Sequence, residues 1–206
     1  MLQRTPEWFQ ARVGKVTASR IHDVMAYIGK NKNEEGVTRR NYRRELALER
    51  YTNMPQESGY TSFAMQQGIA KEDAARDAYA FAKGADIEPV GFVPHPSIGH
   101  AGASPDGLVG KDGLLEIKCP EANVMWEMLT QHPLDGKYIK QAQWQLACTR
   151  RQWVDVAFYR EGCPLEIVPL TYDSMLIDQL ENEVIKFLAE VESDYQMLCR
   201  IHGKHR

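Results

Sequence analysis

The chain reads as an α/β fold, a central mixed sheet flanked by helices, and three observations carry that reading. Residues 114–119, Leu-Leu-Glu-Ile-Lys-Cys, place Leu115 and Ile117 on one face and Glu116 and Lys118 on the other, the alternation of a strand. Helical stretches are expected before and after it, the clearest over 174–201, where Leu176, Leu180, Val184, Phe187, Leu188, Val191, Tyr195 and Leu198 recur at helical spacing. Between the helices stand short runs punctuated by Gly and Pro.

Taken in order, helices are expected over 19–27, 39–51 and 62–83, with the polar stretch 29–37 read as a mobile loop. Strands follow at 89–94, around 101–104 and at 114–119. A helix over 139–149 precedes a strand at 153–159, and Glu161-Gly162-Cys163-Pro164 turns into a strand at 165–170. The last segment is an amphipathic helix or a pair, with core packing its first expected role and subunit contact its second. A length of 206 residues with 43% hydrophobic content suffices for one core, so residues 1–206 form one domain, with 1–60 and 173–206 as embellishments.

Composition narrows the functional classes. No run approaches the roughly 18 apolar residues of a membrane span, and the opening Met-Leu-Gln-Arg-Thr-Pro-Glu lacks a signal peptide's apolar core, so a cytoplasmic protein without membrane association is expected. Cys119, Cys148, Cys163 and Cys199 form no C-x₂-C pair, which argues against zinc or an iron–sulfur cluster and for reduced, structural thiols. His95, His100, His202 and His205 read as solvated side chains.

The chemistry concentrates in Ala103–Pro120, A-S-P-D-G-L-V-G-K-D-G-L-L-E-I-K-C-P. Lys111-Asp112-Gly113 supplies a turn, with Asp-Gly favouring positive φ, so the chain folds back and brings Asp106 beside Glu116. Mg²⁺ takes oxygen ligands and keeps several waters, so one or two carboxylates plus a substrate phosphate make a site for it. A pair of such ions would stabilise both the attacking and the leaving oxygen of an in-line displacement at phosphorus. Lys118 then either activates water, which needs a lowered pKa, or offsets transition-state charge as an ammonium. The spacing leaves both roles open. A charged strand face is often merely solvated, but the preceding Ser104-Pro105-Asp106-Gly107 and the apolar flanks that bury the strand favour a functional site.

Ser104-Pro105-Asp106-Gly107 followed by Leu115-Glu116-Ile117-Lys118-Cys119-Pro120 resembles the PD-(D/E)XK nuclease core, and among its members the phage lambda exonuclease type, the YqaJ viral recombinase family. Trp8 to Ser19 is similar to that family's W-x₃-R-x-G-x₂-T-A-S opening, Gly68 to Glu72 to its G-x₃-E helix, and Tyr138 to Trp144 to its Y-x₂-Q-x-Q helix. The resemblance implies an αβββαβ restriction-endonuclease-like core. It implies catalytic Asp106, Glu116, Lys118 and Glu72, with Asp106, Glu116, Glu72 and the Ile117 carbonyl as ligands of Mg²⁺, two ions per site, Mn²⁺ able to substitute. It also implies a 5′-phosphate pocket of Arg12, Ser19, Ser104 and Gln141. Arg12 offers a bidentate fork for phosphate, and Ser19 is expected near the start of a helix, where free N–H groups favour an anion. Further DNA contacts are expected of Lys30, Lys32, Met65 and Gln143, with Met65 placed where the family uses an apolar wedge.

The implied activity is a 5′→3′ exonuclease on linear double-stranded DNA with 5′-phosphorylated ends, releasing mononucleotides and leaving 3′ single-stranded tails for a strand-annealing partner protein. The alternatives are an endonuclease or resolvase of the same superfamily, or a noncatalytic DNA-end binding protein. A net charge of −3 excludes a uniformly basic surface, so phosphate contacts must come from local patches. Arg39, Arg40, Arg43, Arg44 and Arg50 are one candidate; a solvated helix balanced by Glu45 and Glu49 accounts for them equally well. The resemblance implies a homo-oligomer, a trimeric ring with DNA through its centre.

Overall fold

The computed structural model describes residues 2–29, 31, 34–56, 63–132 and 134–203, with 63–70 described by their backbone alone. Helix α1 (Pro6–Arg12) opens the fold; Pro6 supplies a pre-set φ and the Thr5 side chain accepts from the Trp8 N–H. Strand β1 (Val16–Thr17), a 3₁₀ turn (Ala18–Arg20) and the single-turn helix α2 (Ile21–Val24) stand where one helix over 19–27 was expected. The cause lies just downstream: β2 (Tyr27–Ile28) pairs antiparallel with β3 (Glu34–Glu35), which demands extended backbone and stops the helix early. The stretch 29–37 therefore contributes a strand, and α3 (Val37–Thr52) begins at its end.

Helix α4 (Phe63–Lys83) leads to β4 (Ile87–Glu88), β5 (Val93–Pro94), β6 (Ala101–Ala103), β7 (Gly107–Val109) and β8 (Gly113–Lys118). The strand expected over 89–94 shrinks to Val93–Pro94, paired with β6, and Pro89 at its expected start has no N–H for a ladder. Helices α5 (Ala122–Gln131) and α6 (Gly136–Thr149), strands β9 (Trp153–Phe158) and β10 (Glu166–Thr171), and α7 (Ser174–His202) complete the chain. The C-terminal segment is one helix, started by the Asp173 side chain and closed by Gly203 in the left-handed region.

Five strands form the main sheet in the order β10-β9-β8-β7-β4, with β8 and β9 parallel and the remaining pairs antiparallel. The mixed sheet flanked by helices is the expected class. Strands β1-β6-β5 form a smaller sheet beside it. The β7–β8 turn differs from expectation in one detail. Positive φ falls on Gly110, not on Gly113, which is the first residue of β8 and pairs with both Val109 and Trp153. Gly113 is needed for space: a Cβ there would lie 2.0 Å from the Trp153 ring.

Alternation along β8 divides the core. Leu115 and Ile117 pack with Ala75 and Tyr79 of α4, while Leu114 packs with Met125 and Met128 of α5 and Leu146 of α6. Glu116 and Lys118 share the Leu114 face and so point towards α6. A third cluster joins α2, α3, α6 and α7 around Trp144, Tyr42 and Phe187, and the Trp144 indole donates to the Gly102 carbonyl at 3.2 Å. The arginines of α3 serve this packing. Arg39, 1% exposed, pairs with Glu35 and Glu190; Arg43 pairs with Glu35 and Asp194; Arg50 pairs with Glu192. Only Arg40 and Arg44 of the candidate patch are exposed, so most of that charge is spent on the acidic side of α7.

Candidate active site

The hairpin β7–β8 sets Asp106 and Glu116 side by side: the Asp106 N–H donates to the Leu115 carbonyl at 3.0 Å, and Asp106 Oδ2 accepts from the Ile117 N–H at 2.7 Å. Glu116, 5% exposed, is gripped on both oxygens. Lys118 Nζ and Gln141 Nε2 each donate to Oε1 at 2.6 Å, and Gln145 Nε2 donates to Oε2 at 2.5 Å. Lys118 also donates to Gln141 Oε1 at 3.0 Å and stands 5.0 Å over the Tyr138 ring. Gln141 and Gln145 are one helical turn apart on α6, which is why two amides reach one carboxylate.

From the opposite side α4 presents Glu72, which pairs with Arg4. The N-terminal segment is tied down there by Gln3, whose amide donates to the carbonyls of Val90 at 2.9 Å and Pro105 at 2.6 Å. On the near side, the Trp8 indole donates to Ser104 Oγ at 3.0 Å, the Arg12 guanidinium lies 4.0 Å over the Trp8 ring, and Thr17 Oγ1 is 3.4 Å from Ser19 Oγ.

Apart from Gln145 and Tyr138, these side chains share one cleft of about 250 Å³. Its walls include Glu72, Asp106, Glu116, Ile117 and Lys118 together with Arg12, Ser19, Ser104 and Gln141. The structure thus gathers every residue expected in the catalytic group and in the phosphate pocket. Ser19 enters on a 3₁₀ turn followed by a single helical turn, so it offers its hydroxyl, not a long helix's N-terminus. Trp8, Thr17, Gln3, Arg4 and Gln145 complete the surroundings. Gln145 was legible only as the i+4 partner of Gln141; Gln3 and Arg4 lie in a segment with no periodic signal.

Of the four further DNA contacts expected, one falls elsewhere and three lie outside the described residues. Gln143 is 2% exposed, donates to the Thr171 carbonyl at 2.8 Å and accepts from the Asp173 N–H at 2.9 Å, so it fastens α6 to the β10–α7 junction. Its neighbours Gln141 and Gln145 face the sheet, and a residue between them on a helix faces another way. Lys30 and Lys32, like the Met65 side chain, lie outside the described residues.

The buried carboxylates crowd one another. Burial, then the charge of Glu116, pushes the Asp106 carboxyl well above the usual range, with Glu72 adding to the effect and the Ile117 N–H opposing it. Burial works to lower the Lys118 pKa, but the charge and hydrogen bond of Glu116 outweigh it and raise the ammonium above its ordinary value. Among the described residues no three His, Cys, Asp or Glu side chains are drawn together as a ligand cluster, since Glu72 is turned to Arg4 and Glu116 to its amides. The donor set nevertheless suits a hard divalent ion: the carboxylates of Glu72, Asp106 and Glu116 line one cleft, and a cation there would relieve the like-charge penalty on Asp106.

The central strand of the mixed sheet carries Glu116 and Lys118, Asp106 stands beside them, and Arg12, Ser19, Ser104 and Gln141 line the same cleft, the frame of an α/β protein with one polar, charged site. The chain belongs to the YqaJ-like viral recombinase family, whose model matches residues 7–152. It is similar to LHK-Exo, an alkaline exonuclease from Laribacter hongkongensis also solved in complex with dAMP: 41% identity over 96% of this chain and 97% of that one, TM-score 0.86. A phage related exonuclease from Haemophilus somnus shares the fold, at 14% identity and TM-score 0.64 over 91% of this chain and 96% of that one. No curated protein matches the chain. A nuclease or recombinase role follows. Among the described residues no helix is long and apolar enough to cross a membrane.

Proposed function

We propose that this protein is a Mg²⁺-dependent exonuclease that degrades one strand of linear duplex DNA in the 5′→3′ direction, releasing mononucleotides and leaving a 3′ single-stranded tail. One observation carries the proposal: a single cleft holds both the carboxylate–lysine group and the anion-binding group. A terminal phosphate held by Arg12, Ser19, Ser104 and Gln141 would set the first scissile bond over Asp106, Glu116 and Glu72. The dAMP in the LHK-Exo complex is the kind of product such a reaction releases.

Asp106, Glu116 and Glu72, with the Ile117 carbonyl, would hold the ion. When bound, Mg²⁺ supplies charge stabilisation at phosphorus and a more acidic water. The chain's own residues do the rest. Arg12 and the two serines bind and orient the end, and Gln141 spans both halves of the cleft, donating to Glu116 while lining the anion side. Lys118, hydrogen-bonded to Glu116 and lining the cleft, would offset the charge that develops on the phosphoryl oxygens.

Glu72, which pairs with Arg4, would hold the ion in place of that partner. Subunits in a ring and a strand-annealing partner, acting in a cytoplasmic setting, complete the proposal. The test is a time course on linear and closed circular duplex, with Mg²⁺ or chelator, using wild type and Asp106→Asn. Mononucleotides from linear DNA alone, in Mg²⁺ alone and by wild type alone, are expected. Cutting of the circle would assign an endonuclease, and intact DNA in saturating Mg²⁺ an end-binding protein.

A further inference from the structure

Gln145 is fully buried, 0% exposed, and does not line the cleft, yet its Nε2 donates to Glu116 Oε2 at 2.5 Å. Its own Oε1 is buried without a hydrogen-bond partner among the described residues. A buried amide oxygen left unpaired is unfavourable, and a methionine or leucine would fill the same space without that cost. Packing therefore does not explain an amide here; the N–H aimed at Glu116 does. The other Glu116 oxygen, Oε1, takes Lys118 and Gln141, both of which line the cleft.

We infer that Gln145 is a positioning residue: from inside the protein it holds Oε2 of Glu116, so that Oε1 is the oxygen turned to the cleft and offered to a divalent cation. The inference rests on the metal-site reading above and deepens it. Outer partners of this kind orient a ligating carboxylate and tune its affinity, and their loss typically weakens metal binding by about 10- to 100-fold. Without the Gln145 donor, Glu116 Oε2 is a buried anionic oxygen with no partner, and its carboxylate is free to rotate away from the cleft.

The experiment is isothermal titration of Mn²⁺ and of Mg²⁺ into the full chain, without DNA, for wild type, Gln145→Met and Gln145→Asn. Met matches the volume without a donor. Asn keeps the amide but is one methylene too short to reach. The unfolding midpoint of each is measured alongside. Both variants are expected to bind the ions about 10- to 100-fold more weakly while remaining folded, and Gln145→Asn carries the test if Gln145→Met does not fold. Unchanged affinity with a lowered midpoint would make Gln145 merely structural and overturn this inference while the metal reading stands. A wild type that binds neither ion would overturn the metal reading and this inference with it.

Discussion

Asp106 shows at a single residue how the site is poised. Its carboxyl is held above the usual range by burial first and by Glu116 second, so in the absence of a cation the folded state retains a proton that the unfolded chain gives up. Between the ordinary carboxylate pKa and the raised one, the folded form binds more protons, and stability must fall as pH rises through that window. Asp106→Asn removes the like charge and keeps an oxygen for the Ile117 N–H. Scanning calorimetry in chelator should find this variant more stable than wild type at pH 7, and flatter in its pH dependence. Saturating Mg²⁺ should then stabilise wild type and not the variant. A variant less stable than wild type in chelator would contradict the electrostatic account. At this scale the sequence was informative for Asp106, Glu116 and Lys118, because strand alternation and a short turn determine their placement. It was silent on Gln3 and Arg4, whose positions depend on where a non-repetitive segment lands.

Among the elements, β8 and α6 make the site: one strand face and one helix face meet, and every second residue of the strand finds every fourth of the helix. The alternation of Leu115, Glu116, Ile117 and Lys118 made the strand legible, and the long repeat of 174–201 made α7 legible. The short helices α1 and α5 carry too few turns to show a pattern, and α2 was overestimated because the β2–β3 pairing that truncates it is a tertiary effect. Gln143 illustrates the same limit, since helical spacing places it on α6 but only the fold shows it facing β10. Gln143→Leu should leave DNA affinity unchanged and lower stability by about 1–3 kcal/mol through two orphaned backbone groups, measured by denaturant titration. Gly113→Ala should cost about 1–3 kcal/mol by forcing its methyl into the Trp153 ring.

Across the whole molecule, charge is partitioned. The net charge is −3, and the arginine-rich α3 is largely neutralised against α7, so positive groups described near the chemistry are mostly engaged: Lys118 on Glu116, Arg4 on Glu72 and Arg76 on Asp73 and the Asp106 carbonyl, with Arg12 in the cleft over Trp8. On the proposed reading, a protein so arranged would gain little from nonspecific attraction and would depend on its cleft to capture an end. The most direct measurement compares initial rates on linear duplexes that differ only in a 5′-phosphate or 5′-hydroxyl, for wild type and Arg12→Ala, with Mg²⁺ present. A charge-assisted hydrogen bond is worth about 1.5–3 kcal/mol, so wild type should prefer the phosphorylated end by about 10- to 100-fold, and Arg12→Ala should bring that ratio close to one. Equal rates on both ends for wild type, or a preference that survives the loss of Arg12, would contradict the claim that one cleft captures the 5′-phosphate and cuts beside it.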